Sequence, residues 1–248
     1  MTRWRVDLEY DGGPFAGWQL QPDQPTVQGA LESALEALLG HPTRIRGAGR
    51  TDAGVHALQQ VADFDTDQQR SARSVRDGLN AKLPREIACV AASEVPSTFS
   101  ARHSPHTKTY RYTWLVRPAR PVWWRDRCWH HRGALDVDAM AAALEAVVGT
   151  HDFTSFRAQG CSAKHPVRTV EGANLGWEED RVVLRIQGTG FLRHMVRILA
   201  GSLHDVGRGR HEPRWLAEVI AARQRSLAGR TAPAAGLTLE SIRYHAAD

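Results

Sequence analysis

The sequence predicts an α+β fold with a mainly antiparallel central sheet, and three observations carry that prediction. Strand-like and helix-like runs mix without regular βα alternation. Residues 3–10 alternate strictly, with Trp4, Val6, Leu8 and Tyr10 on one face and Arg3, Arg5, Asp7 and Glu9 on the other, as a half-buried strand requires. Val167 to Trp177 and Arg181 to Gln187 flank Glu178-Glu179-Asp180 in the manner of a hairpin.

The remaining elements follow in chain order. Asp11-Gly12-Gly13-Pro14 ends the first strand, and Thr26 caps a helix in which Val27, Ala30, Leu31, Ala34, Leu35 and Leu38 share a face until Gly40 and Pro42 stop it. Thr43 to Ala48 reads as extended, and Leu58 to Phe64 as the strand returning from the turn between them. A short helix is expected over about 73–82, then strands at Ile87 to Val90 and Lys108 to Val116. Asp136 or Asp138 caps a helix rich in Ala, Leu and Val that ends at Gly149, and His151 to Phe156 follows as a compact loop. Gly188-Thr189-Gly190 opens a helix to about Val206, in which Leu192, Met195, Val196, Leu199 and Leu203 form the core stripe while Arg193 and Arg197 share another face. Pro213 starts a helix over Arg214 to Arg223, and Leu237 to Tyr244 is a last strand. Ser, Pro, Thr and His accumulate at 97–108, which divides the chain into 1–103 and 104–248.

With 248 residues, 42% of them hydrophobic, the chain can bury a sizeable core in one to two domains. No stretch reaches the roughly 18 apolar residues of a membrane span, and the N-terminus enters a strand pattern directly, so a cytoplasmic location is expected. Cys89, Cys128 and Cys161 are far apart and form no close-spaced pair, so they read as buried small hydrophobes with no disulfide or zinc framework. The net charge of +5 is unevenly placed. Residues 1–103 carry 11 Lys and Arg against 13 Asp and Glu, and residues 104–248 carry 21 against 14. The window 102–132 holds eight cations and one acid, interleaved with Tyr110, Tyr112, Trp114, Trp123, Trp124 and Trp129. Cations among aromatic rings suit contact with RNA, and the same pattern also describes a solvated strand face over an aromatic core.

The octapeptide Gly49-Arg50-Thr51-Asp52-Ala53-Gly54-Val55-His56 concentrates the chemistry. Terminal glycines permit positive φ and close approach of backbone to ligand, and Arg50 can pair with a phosphate or carboxylate through two parallel hydrogen bonds. Asp52 then reads either as an ionised carboxylate facing a ligand or as a brace for a tight turn.

With these motifs in place, the chain resembles the tRNA pseudouridine synthase A family along nearly its whole length. The likeness rests on Glu9-Tyr10-Asp11-Gly12 with Phe15-Ala16-Gly17-Trp18-Gln19, on the octapeptide and Ala57, on Phe99-Ser100-Ala101-Arg102 and on Tyr110-Arg111-Tyr112. It continues through Asp152-Phe153-Thr154-Ser155-Phe156, Phe191 to Arg197 and Thr231 to Leu237. The resemblance implies the pseudouridine synthase fold, with two similar α+β halves, helices on one face of the sheet and an active-site cleft between the halves. It implies isomerisation of uridine to pseudouridine at about positions 38 to 40 of the tRNA anticodon arm, without cofactor or metal, by a homodimer. By the same resemblance Asp52 matches the catalytic aspartate, Arg197 the arginine that pairs with it, Tyr110 the active-site tyrosine, and Arg50 the arginine that helps extrude the base. Arg193 stands where relatives often carry a histidine, and its role is open.

The chemistry fits these residues. The N1–C1′ bond breaks, the base rotates, C5 joins C1′ and the C5 proton leaves, with no net redox change. One carboxylate serves either by adding to ring carbon C6 or by meeting C1′ as the glycosidic bond breaks. Burial raises a carboxylate pKa and a neighbouring guanidinium lowers it by about 1–3, which is the part Arg197 would play. Two other readings compete: a non-catalytic RNA-binding module with Asp52 as a brace, and a metal-dependent hydrolase suggested by twelve histidines, including His130-His131 and the pair His151-Asp152. Neither pair has the ligand spacing of a zinc site, and the octapeptide lacks the Lys-Ser/Thr ending of a phosphate loop.

Overall fold

A computed structural model describes residues 1–245, which hold ten strands and five α-helices. The fold is α+β with mostly antiparallel strand pairing, and it divides into two compact units. The first joins residues 1–106 to the C-terminal strand from Leu239, and the second is Thr107–Thr238.

In the first unit β1 (Thr2–Tyr10), β2 (Arg46–Gly47), β3 (His56–Thr66), β4 (Ile87–Val95) and the late strand β10 (Leu237–Tyr244) lie in the order β4-β1-β3-β10, with β2 on β3. The predicted alternation of β1 is realised, with Trp4, Val6, Leu8 and Tyr10 buried. Its other face carries ion pairs such as Arg3–Asp65 and Arg5–Asp7. β1 pairs antiparallel with both β3 and β4, and its register on β3 shifts between Leu8 and Tyr10, where the strand approaches the octapeptide. Of the extended run Thr43 to Ala48, Arg46 and Gly47 form ladder pairs, opposite Asp63 and Ala62.

Helix α1 (Val27–Leu39) is capped by the Thr26 hydroxyl, which accepts from the Gly29 amide, and ends at Gly40 in the left-handed conformation at φ 79°. Helix α2 (Ala72–Asn80) is capped by Ser71 and packs on α1, with the bare face of Gly78 against Leu38. The Asn80 amide bonds both main-chain groups of Cys89, tying α2 to β4.

The second unit orders β5 (His106–Val116), β7 (Gly149–Asp152), β8 (Val167–Glu178) and β9 (Arg181–Gly188) as β5-β9-β8-β7. A short β6 (Trp129–His131) runs parallel to β5, and the pairs β5–β9, β8–β9 and β7–β8 are antiparallel. The predicted hairpin is β8–β9, with Glu179 left-handed at φ 58° in its turn. Helix α3 (Val137–Leu144) packs on β8 and on α4 (Met195–Gly207), α5 (Trp215–Ala222) meets β7, and Ile198, Leu199, Ala200 and Leu203 of α4 are fully buried.

Three sequence expectations are corrected here. The third helix ends at Leu144, gives way to a 3-10 turn over Glu145–Val147, and is followed by a strand that takes in His151 and Asp152. Two consecutive β-branched valines and Gly149 at φ 114° favour leaving the helix. The fourth helix begins at Met195, because Gly188 is still paired in β9 and His194 is left-handed at φ 61°, which a right-handed helix cannot propagate. Arg193 therefore lies outside the helix and shares no helical face with Arg197.

Candidate active site

The octapeptide joins β2 to β3 and is held by groups distant in sequence. Main-chain bonds run from Trp18 N–H to the Thr51 carbonyl at 3.0 Å and from Gly54 N–H to the Phe15 carbonyl at 3.3 Å. The turn itself closes through Val55 N–H and the Asp52 carbonyl at 3.1 Å. Beneath it the hydroxyls of Tyr10 and Thr51 meet at 2.9 Å, and the buried Gln60 amide donates to the Gly49 carbonyl at 2.9 Å. Burial pushes the Tyr10 phenol up to about 12, so this hydroxyl stays neutral. The buried His56 ring anchors the far end, its Nδ1 lying 3.1 Å from both the Gly12 amide and Asp11 Oδ1.

Two glycines of the preceding loop make the close seating possible. A Cβ at Gly17, whose φ is 103°, would stand 2.7 Å from the Thr51 carbonyl oxygen, and one at Gly12 would overlap the Val55 carbonyl. Within the motif Gly54 uses positive φ, at 76°, and Gly49 does not. None of these bonds involves the Asp52 carboxylate. The turn thus owes its form to main chain and neighbours, and the half-buried Asp52 is presented by a frame that other residues hold. Arg50, two residues earlier, is exposed and makes no hydrogen bond or ion pair among the described residues.

The other two predicted site residues belong to the second unit. Tyr110 stands on β5 opposite Ile186, largely buried, its ring packed edge-on against Phe191 with centroids 5.2 Å apart. Arg197, in the first turn of α4, donates from Nε to the Ala232 carbonyl at 2.8 Å, and its own carbonyl accepts the Ala232 amide at 3.0 Å. Gly201 of the same helix lies against the Arg230 carbonyl, and the Gly229 amide bonds the Ser202 hydroxyl at 2.9 Å. The segment 229–233 is thereby laid along α4, and Tyr112 fixes its end through a 2.9 Å bond to the Pro233 carbonyl. Arg193 donates weakly to the Gln159 carbonyl, at 3.4 Å.

The basic aromatic window differs from its reading as an RNA-facing surface. Tyr112 and Trp114 are fully buried and Tyr110 and Trp129 nearly so, while the Trp124 ring is covered by the Arg181 guanidinium. Trp123 alone of the six rings is strongly exposed, at 87%. The reason is the strand period: Tyr110, Tyr112 and Trp114 are two apart on β5 and point to one face, which the unit buries. Cys89 and Cys128 are buried as expected, and burial raises their thiols to about 12 and about 11. Cys161 departs from expectation, being half-exposed with its Sγ 3.5 Å from the Arg193 amide. His130, His131 and His151 all turn ring nitrogens to main-chain carbonyls, of Arg117, Ala134 and Val148. No helix among the described residues is long and apolar enough to cross a membrane.

Sequence reasoning overlooked the frame around Asp52: Gly12, Gly17, Tyr10 and Gln60. Their signal was the pair of glycine-rich blocks near residues 12 and 17, whose contact with the octapeptide is long-range and leaves no local mark.

This α+β chain, with an aspartate in a strand-end turn, is an isomerase that acts on tRNA, a class its relatives define. The chain belongs to the tRNA pseudouridine synthase family, whose model matches residues 8–104 and 143–245. Asp52, Arg50 and Arg197 fall inside the matched stretches, and Tyr110 falls between them. The chain is 45% identical over 245 residues to the tRNA pseudouridine synthase A of Myxococcus xanthus, covering 98% of this chain and 92% of the relative. It is 41% identical over 244 residues to that of Geotalea uraniireducens, with 98% and 100% covered, and 44% over 240 residues to that of Geobacter sulfurreducens, with 97% and 98%.

Proposed function

We propose that this protein isomerises uridine to pseudouridine in tRNA, at about positions 38 to 40 of the anticodon arm, with Asp52 as the nucleophile and without a cofactor. The observation that carries the reading is the Asp52 frame: a turn whose main chain is fixed by Trp18, Phe15 and Gln60, with the Tyr10–Thr51 hydroxyl pair beneath the residue that bears the carboxylate. Such preorganisation suits a group that must meet a reacting carbon, either C6 or C1′, without first reorganising its own loop.

A stacked base cannot reach this carboxylate, so the nucleotide is flipped out, at about a few kcal/mol. The exposed guanidinium of Arg50 offsets part of that through its attraction to the RNA phosphates. Tyr110 stacks on or closes over the extruded uracil, and its hydroxyl is the candidate for relaying the C5 proton. Arg197 is the cation assigned to Asp52, its own position set by Ala232. The net change is isomerisation: N1–C1′ is exchanged for C5–C1′, and the C5 proton is matched by one gained at N1. The enzyme acts as a cytoplasmic homodimer.

The test is to incubate the purified protein with unmodified tRNA transcripts and locate pseudouridine at single-nucleotide resolution. Product confined to about positions 38 to 40 is expected. Product only in another arm overturns the positional assignment, and none at all overturns the function.

A further inference from the structure

Beside the Asp52 turn the first unit carries a pocket of about 180 Å³ between the octapeptide and the Phe99-Ser100-Ala101-Arg102 segment. Trp18 and Ile45 contribute apolar wall, and Arg46, Arg50, Arg102 and His103 contribute cationic or polar rim. The cations differ in state. Arg46 is neutralised by Asp63 and Asp65. Arg50 and Arg102 are exposed and have no hydrogen-bond or ion-pair partner among the described residues. Two uncompensated guanidinium groups on one small pocket call for an anion from outside the chain.

The segment that presents Arg102 is fixed with unusual thoroughness. Asp63, whose side chain is wholly buried, accepts the Ala101 amide at 2.8 Å while paired with Arg46. The Tyr244 hydroxyl donates to the Ala101 carbonyl at 2.5 Å, and Arg3 donates to the Phe99 carbonyl at 2.7 Å. A turn closes behind, with Ser104 N–H bonding the Ser100 carbonyl at 2.9 Å. Arg50 springs from an equally fixed base, since Gln60 holds the Gly49 carbonyl. Both guanidinium groups thus stand on rigid backbone, so binding an anion costs little ordering beyond the side chains themselves.

We propose that this pocket is a phosphodiester subsite, in which Arg102, with Arg50 and His103, grips the RNA backbone next to the uridine brought to Asp52. Asp63 and Arg46 act as positioning residues for the segment that carries Arg102. The size of the pocket favours a backbone phosphate over a free metabolite, being smaller than the roughly 300–1,000 Å³ of ordinary small-molecule sites. The inference rests on the tRNA reading above and adds to it a definite point of attachment.

The experiment measures tRNA affinity against salt for the full-length wild type and Arg102→Ala, with single uncharged methylphosphonates placed in turn at the phosphates flanking the target uridine. Arg102→Ala is expected to reduce the slope of log affinity on log salt by about 0.7–0.9, the loss of one phosphate contact, and to raise KM with little change in kcat. One methylphosphonate position should weaken wild type and leave Arg102→Ala indifferent, with partial recovery in Arg102→Lys. An unchanged slope, or equal sensitivity of both proteins to every methylphosphonate, overturns the subsite. So does uridine 5′-monophosphate binding that Arg102→Ala abolishes while tRNA affinity stays the same, since the pocket then serves a free nucleotide. A wild type that makes no pseudouridine is a failure of the tRNA reading, whereas an active wild type with an unchanged Arg102→Ala slope is a failure of the subsite alone.

Discussion

The Asp52 loop and the Tyr112–Trp114 stretch of strand β5 carry similar signals, polar or aromatic groups set among arginines, and they are built for opposite purposes. The loop leaves its functional group half-buried at a strand end while Gly12, Gly17, Tyr10 and Gln60 hold the backbone beneath it. Strand β5 turns Tyr112 and Trp114 into the interior, where they fill volume, and leaves the outward-looking role to Trp123 far along the next loop. The lesson is that residue type states what chemistry a segment could do, while period and long-range seating decide whether it is positioned to do it.

Asp52 is where the two regions should differ most. Asp52→Ala should lower turnover on tRNA by a factor on the order of 10³ or more, far more than its effect on unfolding free energy, because the main-chain bonds that shape the turn survive the substitution. Equal losses of stability and activity, read by denaturant titration and single-turnover assay, would return Asp52 to the role of a brace. Next in size, Trp114→Ala should cost about 3–5 kcal/mol of stability, whereas Trp123→Ala should cost under about 0.5. Equal values would mean that the two rings are equivalent and the contrast within the window is lost.

Gly17→Ala tests the frame itself. The added Cβ would press on the Thr51 carbonyl from a backbone at φ 103°, so a loss of about 1–3 kcal/mol is expected, with turnover reduced more than tRNA affinity. A fully active Gly17→Ala would show that the seating of the loop does not matter to catalysis.

The smallest effect concerns pH and the buried side of the basic unit. His204 of α4 stacks on Trp129 with its Nε2 3.2 Å from His131 Nδ1, and burial together with His131, Arg230, Arg208 and Arg210 lowers its pKa to about 3. The neutral ring is the form the fold accepts. Its contribution to stability is therefore complete above the unfolded-state value of about 6.5 and declines as pH falls from there towards about 3. The slope from this one group is at most about 1.4 kcal/mol per pH unit. His204→Gln should lack that portion of the acid sensitivity, whatever its stability at neutral pH, as followed by denaturant midpoints between pH 7 and 4.

Much of the fold is legible because its signals are local. The alternation of residues 3–10, the Thr26 cap, Gly40 at the end of α1 and the Glu179-Asp180 turn are decided within a few residues, and the structure has them where the pattern places them. What escaped depends on partners elsewhere in the chain. β6 is only Trp129–His131 and exists by pairing with β5, and β7 exists by pairing with β8. The start of α4 turns on His194, a left-handed residue that no periodicity reveals. At the site, Asp52 stands out through its glycine and arginine neighbours, but the glycines that seat it lie about 35 to 40 residues earlier, and Arg102 becomes conspicuous only when the fold brings it to the pocket with Arg50.

Release of tritium from C5-labelled uridine in tRNA shows directly whether Asp52 is the reacting group of its framed site. Wild type should release the label in step with pseudouridine formation, and Asp52→Asn should bind the same tRNA with comparable affinity and release none. Release by Asp52→Asn at a rate near that of wild type would mean that another group reacts with the uridine.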